Sequence, residues 1–227
     1  MKKFTYKSTE ISYLSHSGFC LKTENDTLII DPFLTGNGGA KMTPNEVKAT
    51  DILVSHGHSD HTGDADKIAI KNNCEIVTTF HTARYFEKKG AKAVGVPVGG
   101  KLIRSWGKVH FRTAMHSGFH DDGASFGPAA SILLMFKDFN MYHLGDTALI
   151  EDFKLVKEIY QPKLVFIPIG GRFTMDIGEA IIATKWLNPE IVIPMHYNTF
   201  DVIKADPNEF KEKVEKETSA KCIVLEP

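Results

Sequence analysis

Three histidines and an aspartate fall within six consecutive positions, His56-Gly57-His58-Ser59-Asp60-His61. Histidine supplies only 10 of the 227 residues, so this density is not what chance placement gives. Imidazole and carboxylate are borderline-to-hard ligands that suit Zn²⁺, Mn²⁺ or Fe, and no cysteine stands among them. The spacing His-x-His-x-Asp-His therefore reads as a metal-binding loop. Directly before it runs the apolar, β-branched stretch Asp51-Ile52-Leu53-Val54. A stretch of that kind, stopped by Ser55-His56-Gly57, predicts a buried strand with the loop at its end.

Neighbouring loop residues rarely complete two coordination spheres, so further ligands must come from elsewhere in the chain. Three candidates share one context: His116 follows the strand-like run 108–114, Asp146 follows 141–144, and His196 follows 191–194. Ligands just beyond the ends of adjacent strands are held rigidly and can converge on one sheet edge. Other roles fit the same residues. Gly145-Asp146-Thr147 suits a helix N-cap, and His116 or His196 could be hydrogen-bonded strand-end histidines. Asp31, before Pro32, suits either a turn or a carboxylate that orients a ligand imidazole.

The elements that would carry these residues come in two similar halves. Runs 11–14, 19–23 and 27–30 read as a β-meander with a turn at Glu24-Asn25-Asp26, ended by Asp31-Pro32. Strands follow at 52–55, 75–79 and 92–96, separated by helices at 65–71 and 81–89, the second closed by Gly90. Gly99-Gly100 turns the chain into a hairpin of 102–105 and 108–114. The second half opens with strands 131–136 and 140–144. It then alternates helix 151–159, strand 164–168, helix 177–187, strand 191–194, helix 207–217 and strand 222–225. Antiparallel strands running into strand–helix alternation, twice over, predict an α/β sandwich of two mixed β-sheets with helices outside.

With 42% hydrophobic residues over 227 positions, the chain suffices for one large domain, 1–227, and is marginal for two. Lys plus Arg total 27 against 28 Asp plus Glu, a balance that announces neither nucleic acid nor an anionic membrane as partner. Cys20, Cys74 and Cys222 are odd in number and far apart, as expected of reduced thiols in a cytoplasmic protein. The basic start Met1-Lys2-Lys3 lacks an apolar stretch behind it, and no run reaches a membrane span of about 18 apolar residues. Oligomeric state is left open, a homo-oligomer included.

The set His56, His58, Asp60, His61, His116, Asp146 and His196 resembles the ligand pattern of the metallo-β-lactamase fold, and the likeness covers nearly the whole chain. Tyr13-Leu14-Ser15-His16-Ser17-Gly18-Phe19, Tyr142-His143-Leu144-Gly145-Asp146-Thr147, Ile169-Gly170-Gly171-Arg172-Phe173-Thr174-Met175 and Ile193-Pro194-Met195-His196-Tyr197 resemble the UPF0173 metal-dependent hydrolase group, near the ascorbate-phosphate lactonase branch. Asp176 departs from that group, where glycine is expected. The resemblance implies a four-layer αββα sandwich and two divalent cations, Zn with Mn or Fe also compatible. His56, His58 and His116 would hold the first, Asp60, His61 and His196 the second, and Asp146 would bridge them. His16 would lie near the site as a substrate contact. Arg172 and Thr174, in a Gly-rich loop, offer a guanidinium and a hydroxyl to phosphate or carboxylate. His120 would belong to a flap over the site.

Two such cations, about 3.5–4 Å apart, share a water and lower its pKa toward ~7, which makes a hydroxide nucleophile available. Asp60 would orient it and take its proton. No Gly-x-Ser-x-Gly elbow offers a competing nucleophile. The expectation is a hydrolase acting on a small ester, lactone or phosphodiester, with an anionic substrate compatible with the charge count. Three alternatives are weaker. Di-iron redox relatives carry Glu where His58 stands and an appended flavin domain. A non-catalytic metal or nucleotide module would not need all seven ligands. A nuclease would show a basic, aromatic-rich surface.

Overall fold

Each half of the chain builds one seven-stranded sheet. The computed structural model describes residues 2–120, 123 and 125–227. The first sheet orders β1 (Lys3–Tyr6), β2 (Thr9–Ser15), β3 (Gly18–Lys22), β4 (Thr27–Ile30), β5 (Asp51–Leu53), β6 (Glu75–Thr78) and β7 (Ala93–Gly95) as in the sequence. Pairing is antiparallel from β1 to β4 and parallel from β4 to β7. The second sheet repeats the scheme. Strands β8 (Lys101–Arg104), β9 (Gly107–Thr113), β10 (Ala130–Met135) and β11 (Asn140–His143) pair antiparallel; β12 (Leu164–Pro168), β13 (Ile191–Met195) and β14 (Lys221–Cys222) continue in parallel.

Parallel pairs need crossovers, and helices supply all of them but β4 to β5, which is joined by a long loop with one 3₁₀ turn at Pro44–Glu46. Helices α1 (Ser59–Thr62), α2 (Ala65–Asn72) and α3 (Phe80–Lys88) serve the first sheet; α4 (Asp152–Tyr160), α5 (Ile177–Leu187) and α6 (Pro207–Glu217) serve the second. Gly90, at φ +84°, closes the turn after α3 as its position implied. No helix among the described residues is long and apolar enough to cross a membrane.

Side-chain alternation along the strands divides the apolar residues into layers. Leu28, Leu53 and Val77 of the first sheet share a core with Phe111, Ile132 and Phe166 of the second, with the Phe19 and Phe166 rings 4.0 Å apart. Ile29, Ile52 and Ile76 point the other way, onto Ile68 and Phe86 of α2 and α3. Val165, Tyr142 and Val192 pack on Phe153, Ala180 and Phe210 of α4 to α6. The order is helix, sheet, sheet, helix, the four layers expected.

Three details differ from the sequence reading. Strand β1 was not foreseen, because Lys3-Phe4-Thr5-Tyr6 lies on the sheet edge and alternates exposed with half-buried. The one-turn helix α1 falls inside the histidine motif itself. The last strand is Lys221–Cys222, not 222–225. Ile223 N–H still donates to Val192 O at 3.0 Å, but the next rung needs an N–H from Pro194, which has none. The chain then leaves the sheet and buries Leu225 between the sheets.

Candidate metal centre

The carboxyl ends of the parallel strands share one edge of the sandwich, and the chemistry-bearing residues sit there. Asp31 follows β4, Ser55 and His56 follow β5, Asp146 follows β11 and His196 follows β13. His116 comes from the loop after β9, and His16 from the β2–β3 hairpin. Gly57, between the first two histidines, can only be glycine: a Cβ there would lie 1.9 Å from Phe126 Cδ2. Asp146 does not cap a helix; α4 starts at Asp152, with Glu151 as its N-cap.

The seven expected ligands meet at one place. His58 Nδ1 lies 2.9 Å from His56 Nε2 and 3.2 Å from His116 Nε2. Asp146 Oδ2 lies 3.5 Å from His116 Nε2 and 3.0 Å from His196 Nε2, while its Oδ1 lies 3.2 Å from His61 Nε2. Asp60 Oδ2 is 3.9 Å from His196 Nε2. Asp146 thus touches members of both expected triads. The ligand atoms of His56, His58, His116 and Asp146 form one cluster, and those of Asp60, His61, His196 and His16 a second, each within 4.8 Å.

The far side of each imidazole fixes which nitrogen faces inward. Asp31 is fully buried and accepts from His61 Nδ1 at 2.8 Å, from Ser55 N–H at 2.8 Å and from Ser55 Oγ at 2.7 Å. With its hydroxyl proton given to Asp31, Ser55 Oγ accepts from His56 Nδ1 at 2.9 Å. His56 therefore turns an Nε2 lone pair to the centre, and His61, with Nδ1–H given to Asp31, presents its Nε2 there. His58 is reversed: its Nε2 bonds Ser117 Oγ at 3.0 Å and its Nδ1 faces in. Behind Asp146, the buried His143 donates from Nε2 to Ser17 O at 2.9 Å and accepts Gly145 N–H at 3.2 Å.

Electrostatics favour the same assignment. Burial, with His61 nearby, holds His56 well below its ordinary pKa, and burial lowers His116 too, so both keep a free lone pair at neutral pH. Burial opposes charge on Asp146 and Asp60, but neighbouring imidazoles outweigh it and hold both carboxyls low: His196 and His61 for Asp146, His61 and His16 for Asp60. Burial likewise disfavours charge on His61, yet Asp146, Asp31 and Asp60 together push its pKa well above the usual value. Three carboxylates around one group create a demand for positive charge.

That demand tests whether the residues fit metal ions. His61 Nε2, His196 Nε2 and Asp146 Oδ1 are buried without a hydrogen-bond partner among the described residues, although they lie within 3.0–3.2 Å of neighbouring acceptors or lone pairs. Ligands about 2.0–2.1 Å from a tetrahedral ion are themselves roughly 3.3 Å apart, so the spacings are those of lone pairs converging on a shared cation. The donor set fits.

A cavity of about 300 Å³ opens onto the cluster, lined by His58, Asp60, His116, Ser117, Asp146 and Phe173. The other expected substrate contacts are placed differently. His16 is closed to solvent behind Asp60, with Nε2 3.0 Å from Asp60 Oδ2. In the β12–α5 loop, Gly171 N–H bonds Met175 O and Met175 N–H bonds Thr147 O. This tight turn presents Phe173 to the cavity, leaves Arg172 in solvent and buries Thr174. His120 lies beside Tyr85, its Nε2 3.2 Å from the hydroxyl; Asp121 and Asp122 of the expected flap lie outside the described residues. Ser55, Ser117, Phe173 and Thr199 were missed as site residues, since nothing in their types or spacing marks them. The departure at Asp176 has a local use: it caps α5, accepting from Glu179 N–H at 2.8 Å.

A family profile described as "Beta-lactamase superfamily domain" matches residues 10–196. A UPF0173 metal-dependent hydrolase of Methanosarcina barkeri is 42% identical over 221 residues, 96% of each chain. One from Bacillus cereus is 40% identical over 211 residues, 91% of this chain and 93% of the relative. Among solved structures, Igni18, a metallo hydrolase from the archaeon Ignicoccus hospitalis, superposes with a TM-score of 0.89 at 35% identity, covering 96% of this chain and 95% of its own.

Proposed function

The chain belongs to the β-lactamase superfamily, with the UPF0173 metal-dependent hydrolases, and on that premise we propose that it hydrolyses a small ester, lactone or phosphodiester with two divalent cations. The observation that carries this reading is the convergence of two His/Asp clusters on one cavity, with Asp146 in contact with both. His56, His58 and His116 would hold one ion and Asp60, His61 and His196 the other, with Asp146 available to both. Zn suits this donor set; Mn or Fe is also accepted by it. The whole of 1–227 acts as one catalytic domain, and its three unpaired cysteines fit a reducing cytoplasm.

When bound, the ions supply an acidified water and polarise the substrate's carbonyl or phosphoryl oxygen. Asp60 is the more open of the two carboxylates on the cavity, its side chain 24% exposed against 3% for Asp146. It orients the attacking water and accepts its proton at a carboxylate oxygen. Ser117, held by His58, offers a hydroxyl to the leaving group. Phe173, 52% exposed, walls the cavity with a flat apolar surface for the acyl or leaving group. His58→Ala tests the assignment. Elemental analysis of protein purified without chelator is expected to show lost metal, with hydrolysis gone across an ester, lactone and phosphodiester panel and the circular dichroism spectrum retained. Unchanged metal content would refute it.

A further inference from the structure

Besides the expected ligands, one more side chain enters the centre. His16 is fully buried in the β2–β3 hairpin, yet its Nε2 reaches Asp60 Oδ2 at 3.0 Å. Its Nδ1 lies 3.0 Å from Thr199 Oγ1, beyond the end of β13. Its carbonyl accepts from both Tyr13 Oη and His196 N–H at 2.8 Å. The backbone is left-handed at both Ser15 (φ +102°) and His16 (φ +59°), a conformation non-glycine residues hold only where the surroundings impose it. The rings of Phe33 and Phe200 close around the imidazole, and His196 lies 4.1 Å from it. A histidine kept only for packing would not point a nitrogen at a carboxylate that lines the cavity.

We propose that Thr199, His16 and Asp60 form a hydrogen-bonded relay in which His16 is a positioning residue for Asp60. An ionised carboxylate can only accept, so the nitrogen facing Asp60 carries the proton and Nε2–H donates to Oδ2. Nδ1 is then an acceptor and takes the Thr199 hydroxyl proton; the competing acceptor for that hydroxyl, Tyr197 O, is farther at 3.5 Å. Each member thereby fixes the next. Asp60 is held in the rotamer that serves the second cation and the attacking water, while His16 never touches substrate. The relay rests on the reading of Asp60 as a ligand of the second cation.

Cobalt(II) titration of the metal-free protein, followed by visible absorption, tests it. In His16→Leu the first equivalent is expected to bind as in the parent chain and the second 10–100-fold more weakly, with an altered absorption band. His16→Gln, whose amide N–H reaches the Nε2 position, restores most of the affinity. Thr199→Val, which leaves the hairpin intact, loses part of it and Thr199→Ser does not. Nitrogen-15 correlation spectra of the metal-free protein are expected to show the His16 proton on Nε2. A proton on Nδ1, or a Leu variant that binds both equivalents like the parent, overturns the relay. If the parent chain binds no cobalt pair, the hydrolase reading fails instead, and the tautomer alone decides the relay.

Discussion

Asp31 shows how much of the centre depends on a residue that touches neither cation nor substrate. It sits at φ +42°, a conformation that costs of order 1–3 kcal/mol for a non-glycine residue. Three donors surround its carboxylate, and through Ser55 it fixes the tautomer of His56 as well as that of His61. Asparagine tolerates the left-handed backbone and keeps the shape, but its amide group sets a donor against donors. Asp31→Asn is therefore expected to fold and to bind cations 10–100-fold more weakly, as measured by competitive titration against a chelating dye. Affinity within twofold of the parent chain would reduce Asp31 to a turn former.

At the scale of elements, the loop from Gly170 to Asp176 ends in a capping box that starts α5. Asp176 accepts from Glu179 N–H, and Glu179 Oε2 reaches back to Asp176 N–H at 3.4 Å. Losing such a cap costs about 1 kcal/mol. Asp176→Ala should lower the urea midpoint accordingly while leaving cation content unchanged; a loss of cation content would tie this cap to the centre. The same loop explains what the sequence could and could not reveal. The strands ahead of His56, Asp146 and His196 are short-range apolar patterns, so they and the placing of those residues at the strand ends were legible. The use of Gly-Asp-Thr was not, because an N-cap and a ligand share the same three residues, and only the start of α4 at Asp152 separates them. Phe173 and Ser117 reach the cavity through loop turns that no periodicity encodes, and His16 meets Thr199 across 183 positions.

For the whole molecule, the decisive feature is that the centre lies on the seam between the halves. The first half supplies His56, His58, Asp60 and His61; the second supplies His116, Asp146 and His196. Near the centre the protein's own ties across that seam include His196 N–H to His16 O and His143 Nε2–H to Ser17 O; farther away Arg104 pairs with Asp51 and Glu75 and Trp106 donates to Asp51, all around the shared apolar core. Without cations, the carboxylates of Asp31, Asp60 and Asp146 crowd together with His61, pushed toward its charged form between them, as partial compensation, and the remaining repulsion works against closure there. Cations held as proposed would remove that opposition and link the two sheets, and so should stabilise the entire fold and not just the loops. A ligand at 100 times its Kd adds about 2.7 kcal/mol. For a chain of this size that corresponds to a rise of roughly 5–10 °C in Tm. Thermal unfolding after chelation, and again after reloading with excess zinc, should show that interval, and His58→Ala should show little of it. Phe166→Ala, which empties the inter-sheet core at about 3–5 kcal/mol, should lower Tm in both states and leave the interval between them intact. An identical Tm with and without cation would mean that the seam is held by the apolar core alone, and that the seven ligands are not joined by a metal.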